Sequence, residues 1–558
     1  MSTSSPAGPS SAAAAFETGE SAGARGNRKT IIGAVAVAML MLFSMFFGAG
    51  NLIFPPILGA SSGDGFPMAI TGFLITGVAL PIITVIAVAI TGKDVQELAA
   101  RGGRIFGLAF PVAVYLALGA AYALPRTAVV SYSSAVTPVT GFDGALSAAI
   151  FSVLFFSVAL ALAFDPNGIV DRLGKYLTPA LLTLLAVLIF LSVTGLMGEP
   201  PAASGDYADN ALAAGLIEGY MTMDSLAAMA FGIVVLSSLR QKGVETGPAL
   251  VKGVSASAIG AGVVLVAVYV GLGMVGQIFP GSENYTDGAA LLSDAANTTM
   301  GFTGVILFGG IVLLACLTTA AGLIGATCQF FHKIIPSVSY RTWAVFFAGA
   351  SVIVSTLGLD VVLSIAAPII GFLYPIAITL VAITIIEPLL GRKLHWTFRA
   401  ALTVVTIWAA LMTAEEMGAD VSPLIGWAPG YDLQLGWMIP AAVTILAGII
   451  VDYFVRPDRA VPIGGEHQVE AELRGSKADE EALIDAIHSA QEIFDEDVDT
   501  VDLDQAIEET EQHVESLRRA EQEARERLAM VKAARKQARQ SLTTLRHAKK
   551  RKVGTPAE

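Results

Sequence analysis

Asp224, Glu218 and Arg126 are ionisable residues within long apolar runs, and Thr318-Thr319 form an adjacent hydroxyl pair in another. Charge inside a bilayer is costly, so an intramembrane carboxylate is by default a functional candidate. Asp224 lies about 13 residues into its run, near mid-depth. Cation binding, gating and organisation of neighbouring backbone are all open to it, as is a structural bond to adjacent helices. Two neighbouring hydroxyls can bond back to the preceding turn. Beside freed carbonyls of another helix they also suit a small hard cation, which takes several oxygen ligands. Arg126, in Leu124-Pro125-Arg126-Thr127, falls about 30 Å from the cytoplasmic start of its helix, near the outer interface. There it snorkels, or it pairs as an outer charged gate with Glu218, a better match by depth than Asp224. All of this chemistry is non-covalent. The sequence shows no nucleophile–base constellation, P-loop or metal cluster, so an enzyme is not expected.

The element that must position these groups is the stretch Met45-Phe46-Phe47-Gly48-Ala49-Gly50-Asn51-Leu52-Ile53-Phe54-Pro55-Pro56. It sits in an apolar run long enough to span a bilayer, which takes about 20 residues. Glycine loosens a helix and each proline removes a backbone donor. Freed backbone groups at membrane depth are tolerated only where protein buries them or where they line a cavity. Discontinuous transporter helices hold substrates and ions with such groups. A kinked helix or a glycine packing face is the plainer alternative. Pro368 and Pro375 around Gly371 predict a further kink, with no chemistry implied. Tyr115 and Tyr122 read as packing residues that could still reach a carboxylate.

The 558 residues are 54% hydrophobic and only 15% charged. That composition specifies an all-α polytopic membrane protein held in a lipid bilayer. The net charge of −13 is unevenly spread and nothing in it points to nucleic acid. Cys316 and Cys328 fall on one helix roughly 18 Å apart, too far to bridge.

Three regions follow. Residues 1–29 are Ser-, Ala- and Gly-rich and read as a disordered cytoplasmic N-terminus without a cleavable signal. Residues 30–455 form a transmembrane domain. Its twelve apolar segments span approximately 31–58, 67–91, 105–134, 146–164, 176–197, 211–238, 252–276, 301–331, 341–358, 360–388, 399–414 and 434–454. Lys and Arg mark alternate loops, such as Arg101 and Arg104, Arg240 and Lys242, and Arg392 and Lys393. The positive-inside rule then puts both termini in the cytoplasm. Segments one and six are both long and interrupted, three and eight are both near 30 residues, and five is odd. Two five-helix units of opposite orientation follow, a 5+5 inverted repeat whose first helices are the broken ones, plus two added helices.

Residues 456–558 form a charged tail, acidic to about Glu515 and basic from Arg518 to Lys552. Leu503, Ile507, Val514, Leu517, Ala524 and Leu528 keep an a/d heptad, with Thr510 and Glu521 interrupting it. This reads as a cytoplasmic helix able to form a coiled coil or an acidic–basic hairpin, through self-association or with a cytoplasmic partner. The alternative is a single solvated helix.

Phe46 to Pro56 closely resembles the first-helix signature of bacterial branched-chain amino acid:cation symporters, the LIVCS family or system II carriers. Pro125-Arg126-Thr127, Gly219-Tyr220-Met221-Thr222-Met223-Asp224 and Cys316-Leu317-Thr318-Thr319 resemble that family in the same order. The resemblance implies a LeuT-like 5+5 fold in the cytoplasmic (inner) membrane. It implies uptake of leucine, isoleucine and valine coupled to Na⁺, or in some members to H⁺; were the coupling to H⁺, Asp224 or Glu218 would be this sequence's candidate proton carrier. Gly48, Ala49, Gly50 and Asn51 would meet the substrate's carboxylate and ammonium at the first break. Gly219, Tyr220, Thr222 and Asp224 belong to the second. Thr318 and Thr319 would hold Na⁺ with carbonyls near Ser44 and Phe47. A broken helix offers amides to a carboxylate and carbonyls to an ammonium. The long tail departs from the family pattern. The rival readings are an exchanger or exporter of another small neutral amino acid, and a transporter-like sensor that signals through its tail.

Overall fold

A computed structural model describes residues 32–455 except 92–94, 165–172, 243, 245–246 and 392. The expected tail and N-terminus lie outside the described residues. Among those described there is no β-strand. Long apolar runs give this outcome, because a helix satisfies every backbone group internally where no water can.

The first run is two helices, α1 (Ile32–Phe46) and α2 (Ala49–Ser62). The break falls at Phe47-Gly48, with Gly48 extended (φ −119°, ψ −159°). Of the glycines and prolines that the sequence offered as interruptions, Gly48 sits at the break and the prolines do not. Pro55 and Pro56 lie inside α2, which stays helical through them. Their missing donors release the carbonyls one turn earlier, at Asn51 and Leu52. A short turn at Gly63–Gly65 leads into α3 (66–91), which carries a π-turn at Ile75–Ala79.

Then come α4 (Phe106–Thr140), α5 (Ala145–Ala163) and α6 (Leu173–Gly195). The helix α4 is interrupted at Gly119 (φ −82°, ψ −132°) and Tyr122 (φ −149°, ψ −65°). The second broken element is α7 (Asp206–Met221) and α8 (Asp224–Gln241), bent by 45°. Between them Met223 adopts a left-handed conformation (φ 67°), which L-residues with a side chain rarely take.

The remainder is α9 (Pro248–Ile278), α10 (Gly288–Met300), α11 (Phe302–Ile334), α12 (Tyr340–Ser355), α13 (Leu359–Leu390), α14 (Trp396–Glu416) and α15 (Met438–Val455). The side chains of Asp287 and Ser339 cap the starts of α10 and α12 by accepting from Ala289 N and Thr342 N. Pro368 and Pro375 fall inside the continuous α13.

By length and hydropathy, nine helices among the described residues can cross a membrane, or ten if α7 and α8 make one span. The Gly63–Gly65 turn divides the stretch Ala49–Thr91, and α1 is too short to cross a bilayer alone.

The broken helices lie at the centre. Helix α2 packs on α9, α7 on the first half of α3, α8 on the second half, and α11 on α4, α5 and α10. Glycine permits several of these approaches: a Cβ on Gly276 would lie 2.0 Å from the Pro56 carbonyl oxygen. Small residues at such crossings let membrane helices meet backbone to backbone. The last two helices are tied by Asp452, whose carboxylate accepts from Trp396 N (2.9 Å), Thr397 N (3.0 Å) and Thr397 Oγ1 (2.8 Å). Arg101, in the turn after a short helix (Val95–Ala100), pairs with Glu387 of α13 and stacks over Phe398.

Candidate functional site

The two breaks face one cavity of about 50 Å³, enough for a few waters. The end of α1 and the start of α2 supply Met45, Phe46, Gly48, Ala49, Gly50 and Asn51. The second break supplies Thr222, Met223 and Asp224, while α4 adds Tyr122, Arg126 and Thr127 and α11 adds Thr319. Its apolar wall is Met45, Phe46, Leu118, Ala227, Phe231 and Leu323.

Two polar clusters occupy opposite ends of the first break. At the end of α1 the hydroxyl pair of α11 meets freed carbonyls. Thr318 Oγ1 donates to Ser44 O (3.0 Å) and reaches Ala315 O (2.9 Å). Thr319 Oγ1 stands 3.4, 3.3 and 3.4 Å from the carbonyl oxygens of Ser44, Met45 and Phe47. A Cβ on Gly48 would lie 2.9 Å from Thr319 Oγ1, so only glycine admits the hydroxyl so close. The carbonyl end of α1 adds the negative end of its dipole. Five neutral oxygens gathered there form a donor set that suits a hard monovalent cation, as freed carbonyls do in discontinuous helices.

At the start of α2, Asn51 Nδ2 donates to Asp224 Oδ2 (2.6 Å) and also bonds the Tyr269 hydroxyl of α9. Tyr269 in turn points its hydroxyl at the same carboxylate oxygen (3.4 Å). This network joins both breaks to α9, and all three residues are buried. Tyr269 was not singled out from the sequence. The available signal was one phenol in a 31-residue apolar helix, since a buried tyrosine hydroxyl usually finds a partner.

Gly48, Ala49, Gly50, Asn51, Thr222 and Asp224 therefore line the cavity, and the Ser44 and Phe47 carbonyls converge on Thr318 and Thr319. Other expected residues lie elsewhere. Gly219 is pressed against α3, where an added Cβ would come 2.4 Å from Thr76 Oγ1 and 2.5 Å from Phe73 O. Tyr220 stacks on Tyr374 (ring centroids 3.9 Å apart) and lines a separate apolar cavity with Thr76, Gly371 and Trp437.

Arg126 does not snorkel: it is only 5% exposed. The 30 Å depth assumed a straight helix, and α4 is interrupted one to two turns before it. Nor does it meet Glu218, which faces Tyr207 and Asp206 instead. Its Nη1 donates to the Tyr122 hydroxyl (2.6 Å). Tyr115 is a packing residue, stacked on Phe330 (4.0 Å).

Residues 32–455 match the family model described as branched-chain amino acid transport protein. The branched-chain amino acid permease BrnQ of Corynebacterium glutamicum is 51% identical over 420 residues, covering 75% of this chain and 95% of that protein. The branched-chain amino acid transport system 2 carrier protein of Pseudomonas aeruginosa is 37% identical over 434 residues, covering 75% and 97%. The permease BraB of Bacillus subtilis is 35% identical over 429 residues, covering 75% and 95%. Among solved structures, the nucleobase-cation-symport-1 family transporter Mhp1, in a closed conformation with bromovinylhydantoin bound, is similar in fold alone. It has a TM-score of 0.50 at 14% identity and covers 75% of this chain and 92% of that one. The all-helical fold with its central broken helices, the residues of the first break and these relatives agree: the chain belongs to the branched-chain amino acid transport protein family, whose members are membrane transporters and not enzymes.

Proposed function

We propose that this protein is a secondary active symporter that imports leucine, isoleucine and valine together with Na⁺ by alternating access. The observation that carries the reading is the single cavity walled by two helix breaks, with a five-oxygen cluster at one of them. The unbonded amides opening α2 favour a carboxylate. Asp224 and the freed carbonyls favour an ammonium. The wall of Met45, Phe46, Leu118, Ala227, Phe231 and Leu323 suits a branched aliphatic side chain. Such a wall separates neighbouring aliphatic side chains by only about 1–3 kcal/mol per methylene, so one site serves all three amino acids. Na⁺ between α1 and α11 links the broken helix to a helix that packs on α4 and α5, so ion and substrate favour the same closed arrangement. The relatives named as branched-chain amino acid permeases support the substrate class.

The reading includes twelve spans: α1 with α2, α7 with α8, and ten further helices. Their two sets of five would form an inverted repeat, with α14 and α15 as additions. Both termini would face the cytoplasm of a bacterial inner membrane, as the alternation of Lys and Arg supports. The charged tail would then be cytoplasmic and open to self-association or a partner.

Radiolabelled isoleucine uptake into proteoliposomes tests the proposal, with an inward Na⁺ gradient, an inward H⁺ gradient, or neither. Accumulation only with Na⁺ is expected. Accumulation with H⁺ alone would move the coupling to a carboxylate, with Asp224 first. Binding without accumulation under any gradient would favour an exchanger or a sensor.

A further inference from the structure

Arg126 is a buried cation, 5% exposed, that makes no ion pair among the described residues, although Asp224 shares its cavity and feels its charge. Its guanidinium lies beside the Phe54 and Tyr122 rings (5.6 and 5.5 Å to the centroids), and its one hydrogen bond goes to the neutral Tyr122 hydroxyl. A guanidinium carries five N–H donors, so several remain without a protein acceptor. They are not sealed off, because Arg126 lines the cavity. A buried charge without a hydrogen-bonded counterion is unfavourable, and the field of Asp224 across the cavity offsets this only in part, so the open N–H groups suit an anion from outside the chain.

Where the guanidinium lies says which anion. A Cβ on Gly50 would come 2.2 Å from Arg126 Nη2. The guanidinium is therefore laid against the first turn of α2, where unbonded amides and the positive end of the helix dipole already concentrate. Two independent positive features converge on one point. Asp224, the cavity's negative group, is engaged by Asn51 and Tyr269 across the break. A zwitterion spans such a pair of poles.

We propose that Arg126 is not a gate but the ligand of the substrate's carboxylate, acting with the amides that open α2. It makes the site specific for amino acids over their carboxylate-free analogues. The inference rests on the transport reading and adds the orientation of the substrate within it: carboxylate toward Arg126 and Gly50, side chain toward Phe231 and Leu323. A planar fork that accepts a carboxylate through two parallel bonds is what lysine cannot supply.

Dissociation constants of isoleucine and of isoleucinol, whose carboxylate is replaced by a hydroxymethyl group, are measured on the purified full-length protein in Na⁺ buffer. Ligand-induced thermal stabilisation is the readout, for wild type, Arg126→Gln and Arg126→Lys. Wild type should prefer isoleucine by roughly 100-fold, the scale of losing a hydrogen-bonded charge pair. That preference should shrink at least tenfold in Arg126→Gln and fall between the two in Arg126→Lys. The lysine variant keeps a buried cation, so it serves if glutamine prevents folding. Equal weakening of both ligands in the variants, with the preference intact, would mean a gate and overturn the assignment. No preference in wild type would overturn it as well. Failure of wild type to bind either compound would remove the transport reading, and the assignment with it.

Discussion

Thr319→Ala removes one of the five oxygens gathered at the end of α1. Without an ion the loss is small, because the hydroxyl stands at 3.3–3.4 Å from each of its three carbonyls and can satisfy only one at a time. A neutral hydrogen bond of that kind is worth about 0.5–1.5 kcal/mol net, so the variant should fold and reach the membrane. With a cation present the same oxygen faces a full charge. Bonds to charged groups are worth about 1.5–3 kcal/mol, which is roughly a 10- to 150-fold change in affinity. Initial rates of isoleucine uptake in proteoliposomes, measured against external Na⁺ at saturating isoleucine, report this directly. The half-saturating Na⁺ should rise by that factor in Thr319→Ala and stay near wild type in Thr319→Ser, which keeps the oxygen. Unchanged Na⁺ dependence in Thr319→Ala, with melting temperature lowered, would refute the argument and leave the hydroxyl as a tie between α11 and α1.

The remaining predictions concern the groups that hold the breaks and the helices around them. Tyr269→Phe deletes a hydroxyl bonded to Asn51 and aimed at Asp224, leaving a buried amide donor and a carboxylate short of a partner. A loss of about 1–3 kcal/mol is expected, seen as a lower melting temperature and weaker isoleucine binding together. Asp452→Ala removes three acceptor contacts at the start of α14 and should destabilise the protein by about 1–2 kcal/mol, with the KM for isoleucine unchanged. Gly276→Val places side-chain atoms where the Pro56 carbonyl stands, so α2 and α9 must separate. A cost of about 1–3 kcal/mol or more is expected, visible as loss of monodisperse protein after detergent extraction.

The sequence made the breaks legible because apolar runs leave few reasons for Gly-x-Gly-Asn or for a carboxylate at mid-depth. The residue types said that backbone would be freed, and the helices do stop at Phe47-Gly48 and at Thr222-Met223. They did not say which residue stops them. Glycine and proline were both possible breakers, yet α2 runs through both prolines, and the interruption precedes them by two turns. At the second break a methionine takes the left-handed conformation that glycine would have signalled, so local propensity was silent there. The hydroxyl pair was legible as a pair, while Met45 entered the cluster only through the course of the chain around Gly48.

Arg126 shows where reading by length fails. Its depth was counted at 1.5 Å per residue along a regular helix. Helix α4 contains π-turns at Ala117–Ala121 and Tyr132–Val136 and non-helical residues at Gly119 and Tyr122. Each irregularity rotates the face that follows, so a residue placed at the rim by counting comes to lie against Gly50. The same irregularities set Tyr122 beside Arg126, where its hydroxyl accepts a hydrogen bond from the guanidinium. The presence of an arginine in an apolar run was therefore evident from the sequence, but its depth and its partner depended on a helix that is not straight. In the proposed orientation the cargo's carboxylate would meet this cation at the first turn of α2, where it forms no ion pair among the described residues.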